Sequence, residues 1–109
     1  KLKLKIKIGG NQAYKNKEYQ RAINCYTKAI HLHPNDSNFY SNRALSYFNL
    51  GQYPQCINDC DKAVQLNPSN VKAYKKKAQA LAYQLKFTDA VHCMKAAAAC
   101  EKDNLALKN

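Results

Sequence analysis

The chain has 109 residues and sets 18 Lys and Arg against 7 Asp and Glu, a net charge of +11. That length suffices for one domain and not for two, and so basic a balance points toward an acidic partner. No apolar run approaches the roughly 18 residues that a membrane-spanning helix needs, and the five cysteines show no zinc-site spacing and follow no secretory signal. They are expected as reduced thiols packed like small core residues, in the cytoplasm or nucleus. A chain that opens on Lys and carries no catalytic domain is expected to be an excised piece of something longer.

From Lys1 to Ile8, lysine alternates strictly with Leu or Ile, which alone argues for a strand or a basic surface-binding segment. Gly9 and Gly10 each weigh against a helix by roughly 1 kcal/mol. The rest of the chain sets a different register. Gly10, Ala44 and Ala78 stand one 34-residue period apart, as do Tyr19, Tyr53 and Phe87, then Ala22, Cys56 and Ala90, then Ala29, Ala63 and Ala97. Ile6 thereby aligns with Tyr40 and Tyr74, and a helix with a ragged start, ending near Tyr14, is expected.

A second helix is expected from about Glu18 to Leu32, with Ala22, Ile23, Tyr26, Ala29 and Ile30 on one stripe at helical spacing. Pro34, Asn35 and Asp36 make a turn. Helices follow over about Ser37 to Leu50, closed by Gly51, and Tyr53 to Leu66, closed by Asn67 and Pro68. The last pair covers about Val71 to Leu85 and Thr88 to Cys100. Lys102 occupies the place of a third closing proline, and Asp103 to Asn109 are expected to begin a partial capping helix over the last apolar face.

Self-similarity at this period marks stacked helix pairs. Small residues recur where two helices approach closely, aromatics where a gap is filled, and prolines where a helix stops. On these residues the chain resembles the tetratricopeptide repeat family. The resemblance implies an all-α right-handed solenoid of three helix-turn-helix units, approximately 3–36, 37–70 and 71–104, forming a single domain over 1–109, with the first helix of each pair lining a concave inner surface. Segments 1–17, 37–50 and 71–86, which hold those inner helices, carry six, one and five basic residues and no Asp or Glu. A concave basic groove is therefore expected.

Lys72 and Lys76 are one turn apart on one helix face, as are Lys7 and Asn11. Asn42 precedes Lys76 by one period, which sets the two side by side on helices about 8 to 10 Å apart. Three amines and two amides then converge on one stretch of groove, a site suited to carboxylates, which accept charge-assisted hydrogen bonds from both. These five also match the carboxylate clamp of the tetratricopeptide co-chaperones, read in Gly10-Asn11, in Tyr40-Ser41-Asn42-Arg43-Ala44 and in Val71-Lys72-Ala73-Tyr74-Lys75-Lys76. That resemblance implies binding of the C-terminal Glu-Glu-Val-Asp tail of seventy- or ninety-kilodalton heat-shock chaperones. Lys7, Asn11 and Asn42 would face the terminal carboxylate, Lys72 the last Asp side chain, and Lys76, where the family often has Arg, further peptide oxygens.

Tyr14, Ser41, Leu45, Asn49 and Gln79 are expected to line the groove further upstream, with core packing the main role of Tyr14, and Arg43 is expected to be structural or at the rim. His31, His33 and His92 are scattered without metal-ligand geometry and read as surface histidines. No nucleophilic grouping, phosphate-cradling loop or paired carboxylate appears, because Asp59 and Asp61 point in different directions on one helix. Neither catalysis, a metal nor a cofactor is expected. Two other readings stay open: a scaffold for a different protein partner, and a nucleic-acid surface, which two arginines and two groove asparagines disfavour.

Overall fold

Glycine, proline and Asx residues mark four of the five breaks between six helices, and the fifth falls at Gln84, Leu85 and Lys86. In the computed structural model, which describes residues 2–108 and side chains as far as Leu105, the helices are α1 (Leu2–Lys15), α2 (Tyr19–Leu32), α3 (Ser37–Asn49), α4 (Tyr53–Leu66), α5 (Val71–Tyr83) and α6 (Phe87–Lys108). Lys1 and Asn109, which belong to the end segments discussed above, lie outside the described residues. Consecutive helices pack as antiparallel hairpins, α1 with α2, α3 with α4 and α5 with α6, and each hairpin stacks on the next. The alternating Lys-Leu/Ile segment is helical from Leu2, with Ile6 half-buried against the core while Leu2, Leu4 and Ile8 face solvent.

Inside each hairpin the chain reverses through the same left-handed residue. Lys17, Gly51 and Leu85, one period apart, have φ of 62°, 74° and 63°. The following N–H groups of Glu18, Gln52 and Lys86 donate to the carbonyls of Ala13, Tyr47 and Leu81 at 2.8, 2.9 and 2.9 Å, which satisfies carbonyls that the helix end would otherwise strand. Between hairpins, the prolines stop α2 and α4, and side chains start the next helix. Asp36 accepts from the Asn38 N–H at 3.0 Å, and Asn70, one period later, accepts from the Ala73 N–H at 3.2 Å. Asn70 also donates to Ser37 Oγ at 2.8 Å, and Ser37 donates to the Ala63 carbonyl at 2.7 Å, tying the second and third hairpins together through buried polar groups.

The periodic small residues form the crossings. Ala22, Ala29, Ala44, Cys56, Cys60 and Ala63 are fully buried, and Tyr26 and Phe39 fill the spaces between helices. All five cysteines are free thiols, and the Cys60 thiol is pushed well above its usual range by its hydrogen bond with Cys56 and by burial. His33 is half-buried beside Phe39, with ring centroids 6.4 Å apart, rather than lying free on the surface.

The separate capping helix expected from Asp103 does not form among the described residues: α6 runs unbroken to Lys108. No proline stops it, since Lys102 holds that place, and Ala96 to Ala99 are strong helix formers. Its outer stripe therefore stays open, and Phe87, Val91 and Met94, each half or more exposed, line a groove of about 450 Å³ with Ala78 and Ala82 of α5.

The shared turn gives a paired prediction. A Cβ at Gly51 would meet nothing within 4 Å, so Gly51→Ala is expected to cost about 1 kcal/mol through backbone strain alone. Leu85, 74% exposed in the equivalent conformation, loses little packing when replaced, so Leu85→Gly is expected to stabilise the chain by up to about 1 kcal/mol. Thermal melts of the two variants, shifted in opposite directions, check this.

Candidate functional site

The inner face of the stack is built by α1, α3 and α5, and its central cavity, about 310 Å³, draws on all three. From α1 come Asn11, Tyr14 and Lys15; α3 supplies Asn42 and Leu45, and α5 supplies Lys72, with Tyr26 of α2 forming the floor. Three of the five expected polar residues thus meet in one space. Lys7 and Lys76 lie beside it, close enough for both charges to bear on Lys72. Desolvation in the groove, then repulsion by Lys7 and Lys76, hold the Lys72 ammonium below the ordinary lysine range.

The neighbour relations differ from the simple register in one respect. Asn42 was expected beside Lys76, yet Asn42 Oδ1 accepts from Lys72 Nζ. A lysine stem is long enough to reach across one 5.4 Å helical turn, so Lys72 takes Asn42. Lys76 instead sets its ammonium 4.3 Å from the centre of the Phe48 ring and donates to Gln79 Oε1 at 2.7 Å. The second amide is also engaged through its oxygen, since Asn11 Oδ1 accepts from the Tyr26 hydroxyl.

Other expected groove residues divide. Tyr14 lines the cavity, its ring packs edge-on against Tyr19 at 5.5 Å, and its hydroxyl accepts from Asn49 Nδ2 at 3.0 Å. Leu45 lines the cavity. Gln79 is exposed on the side toward the open groove of α5 and α6. Ser41 does not reach the inner surface; it is 2% exposed and donates to the Asn38 carbonyl of its own helix. Lys15 and Tyr26 are cavity residues that the reading of the sequence left out. Lys15 stands four residues after Asn11, so its place on the same helix face was there to be read.

Arg43 turns away from the cavity and is structural. It donates twice to Asp59, at 2.7 Å from both Nε and Nη2, and to Thr27 Oγ1 at 3.2 Å, with Tyr40 and Tyr47 against its guanidinium. Asp61 points elsewhere, to Lys77 at 2.5 Å. Among the described residues the ion pairs engage Lys3, Arg21, Arg43, Lys75 and Lys77. Lys7, Lys15, Lys72 and Lys76, the cations in and around the cavity, have no acidic partner there. The cations in and around the cavity are thus free of ion pairs and stand beside two amides whose oxygens already accept from a hydroxyl and an ammonium. Such an arrangement suits an anion, which accepts hydrogen bonds from N–H groups.

Comparisons with known proteins agree with this architecture. The profile described as "Tetratricopeptide repeat" matches residues 37–70, and that described as "TPR repeat" matches residues 10–51. The Arabidopsis OM64 TPR domain superposes with a TM-score of 0.90 at 33% sequence identity, covering 93% of this chain and 84% of that one. The chain belongs to the tetratricopeptide repeat family. The TPR2B domain of yeast Sti1, solved in a complex with an Hsp70 peptide, superposes with a TM-score of 0.92 at 29% identity over 94% of this chain and 83% of that one. Among curated proteins, the pea translocon at the outer membrane of chloroplasts 64 is 57% identical over 44 residues, 40% of this chain and 7% of that protein. The chain spans less than a tenth of the length of such relatives.

The two carboxylates of α4 give a stability prediction for this tetratricopeptide domain. Asp59→Ala leaves the part-buried Arg43 guanidinium without its bidentate partner, and a loss of about 3 kcal/mol is expected. Asp61→Ala removes a pair whose carboxylate is half exposed, and less than about 1 kcal/mol is expected. Denaturant unfolding of both variants separates the two.

Proposed function

We propose that the inner groove binds the free carboxyl end of an acidic peptide of the Glu-Glu-Val-Asp type, as carried by seventy- and ninety-kilodalton heat-shock chaperones, and that the chain acts as the chaperone-binding module of a co-chaperone or adaptor. The observation that carries this reading is the convergence of Asn11, Asn42 and Lys72 on one cavity, with Lys7 and Lys76 beside it and no acid paired to any of these lysines among the described residues. In the proposed complex Lys7, Asn11 and Asn42 meet the terminal carboxylate, Lys72 the carboxylate of the last Asp, and Lys76 oxygens further along the peptide. Solved relatives support the assignment of the peptide: beside the Sti1 complex, the second TPR of Spaghetti (RPAP3), 28% identical, was determined with the HSP90 peptide SRMEEVD.

We read the chain as one domain with units 3–36, 37–70 and 71–104, working through binding rather than catalysis, in a compartment that keeps its five thiols reduced. Electrostatics supports a peptide end over a polyphosphate. The cavity offers amide donors beside its ammonium groups, and the groove lacks the continuous stripe of cations that phosphate tracking uses.

A peptide ending Met-Glu-Glu-Val-Asp, titrated with a free and with an amidated C-terminus, tests the reading. Binding of the free acid and loss of binding on amidation are expected; equal binding of both forms overturns it. Lys72→Ala is expected to weaken the free acid by about 1 to 3 kcal/mol, and added salt to weaken it further.

Lys72 also sets a pH signature. Its pKa lies below the ordinary lysine value in the free chain, and a carboxylate placed on it raises that value. Between the two values the complex holds a proton that the free chain has released. Binding is therefore expected to take up protons in alkaline solution and to weaken as pH rises through that window. Calorimetric titrations in buffers of different ionisation enthalpy read the uptake directly, and Lys72→Ala is expected to remove it.

A further inference from the structure

We infer that Tyr26 is the positioning residue that aims the Asn11 amide at the bound carboxylate, and that Gly10 is glycine because only an absent side chain leaves room for the Tyr26 ring. The inference rests on the carboxylate-binding reading above.

An asparagine side chain presents an acceptor on one side and two donors on the other, and a half-turn about its last bond exchanges them. A carboxylate is attracted by one orientation and repelled by the other. An amide free to turn spends part of its time in the wrong state. Asn11 is not free, because its Oδ1 accepts from the Tyr26 hydroxyl. Tyr26 is 1% exposed, and Asn11 is its hydroxyl's one hydrogen-bond partner among the described residues. Turning the amide over would leave the buried O–H without an acceptor, which is costly. Burial, then the nearby Cys25 and Tyr14, push the Tyr26 phenol up to about 12, so it stays a donor at every ordinary pH. The Nδ2 hydrogens of Asn11 are thereby left for the ligand. On the far wall Lys72 Nζ engages the oxygen of Asn42 in the same sense.

Gly10 is the second half of the device. A Cβ built there would stand 2.6 Å from Tyr26 Cε1 and 2.9 Å from Cζ, the carbon that bears the hydroxyl. Any side chain at position 10 therefore displaces the end of the ring that holds Asn11, the next residue. The other units fill this layer differently. Where the first has Ile6, Gly10 and Tyr26, the second has Tyr40, Ala44 and Cys60, and the third Tyr74, Ala78 and Met94. Only in the first unit does the aromatic ring come from the second helix of the pair, which places a hydroxyl beneath the residue after the glycine. Packing alone does not demand this exchange, since two neighbouring units do without it. It occurs where an amide has to be aimed.

Tyr26→Phe is the decisive variant, because it keeps the ring and removes only the hydroxyl. Thermal stability close to the parent's is expected, with affinity for the free-acid peptide reduced about tenfold and the preference for free acid over amide reduced by the same factor. Asn11→Ala is expected to lose affinity to a similar degree, and the double variant to lose no more than Asn11→Ala alone. In the ligand-free chain, ¹⁵N relaxation of the Asn11 side-chain amide is expected to show lower order in Tyr26→Phe than in the parent. The inference is overturned if Tyr26→Phe binds the free acid like the parent while Asn11→Ala does not, or if the order of the amide is unchanged. A parent chain indifferent to amidation would instead overturn the carboxylate reading, and the relaxation measurement would still judge the Tyr26–Asn11 coupling by itself.

Discussion

The structure depends on how closely its helices can approach. At Gly10, Ala22, Ala29, Ala44, Cys56 and Ala63 the side chains are absent or minimal and the residues are buried, so backbones come together and dispersion contacts extend along the whole crossing. Because these positions repeat every 34 residues, every crossing has similar geometry and the hairpins stack in register. That register converts sequence spacing into proximity. Asn42 and Lys72 lie on successive inner helices and meet because α3 and α5 are held side by side. A bulkier residue at one crossing would tilt a hairpin and move its inner side chains together, so the groove inherits its precision from residues that never touch it.

Against that scaffold, the distribution of charge works in the opposite direction. Lys3, Lys75, Lys77 and Arg43 each have a carboxylate and add to cohesion between helices. Lys72 is partly desolvated and repelled by Lys7 and Lys76, which destabilises the ligand-free chain. A sequence under selection for stability alone would place an acid among these lysines, and seven acids are present to do it. Their absence from all three inner segments leaves a field that an anion can discharge, and on the proposed reading stability given up in the free state would return as affinity in the bound one.

Much of this was legible in the sequence because repetition averages out local ambiguity. The alternating octet from Lys1 to Ile8 has the period of a strand, and only the alignment of Ile6 with Tyr40 and Tyr74 shows that tertiary packing overrides it. The inner location of Asn11, Asn42 and Lys72 follows from the same alignment. What was not legible depends on side-chain reach and rotamer. Lys76 leaves Asn42 for the Phe48 ring, Ser41 turns its hydroxyl back to its own helix, and Tyr26, read as one member of an apolar stripe, gives its hydroxyl to Asn11. The extent of α6 was misread for another reason. The expectation rested on the need of an array to cover its last apolar face, but the strong helix formers Ala96 to Ala99 carry α6 unbroken past Cys100.

Stability in a stacked array is a sum over neighbours, and the third hairpin has only one. Its outer face, with Phe87, Val91 and Met94 each half or more exposed, gains little from burial, although its inner helix α5 carries Lys72 and Lys76. The contacts that hold it are specific: Asn70 reaches Ser37 in the second hairpin, Lys77 pairs with Asp61 of α4, and Cys100 of α6 donates to the Pro68 carbonyl at 3.3 Å. On the proposed reading, a peptide carboxyl end gripped at once from α1, α3 and α5 would add one more brace across the same three elements, on the side where the lysines repel one another. Ligand binding and cohesion of the stack would then be linked, and whatever loosens the third hairpin would weaken the proposed grip on the peptide by the same linkage.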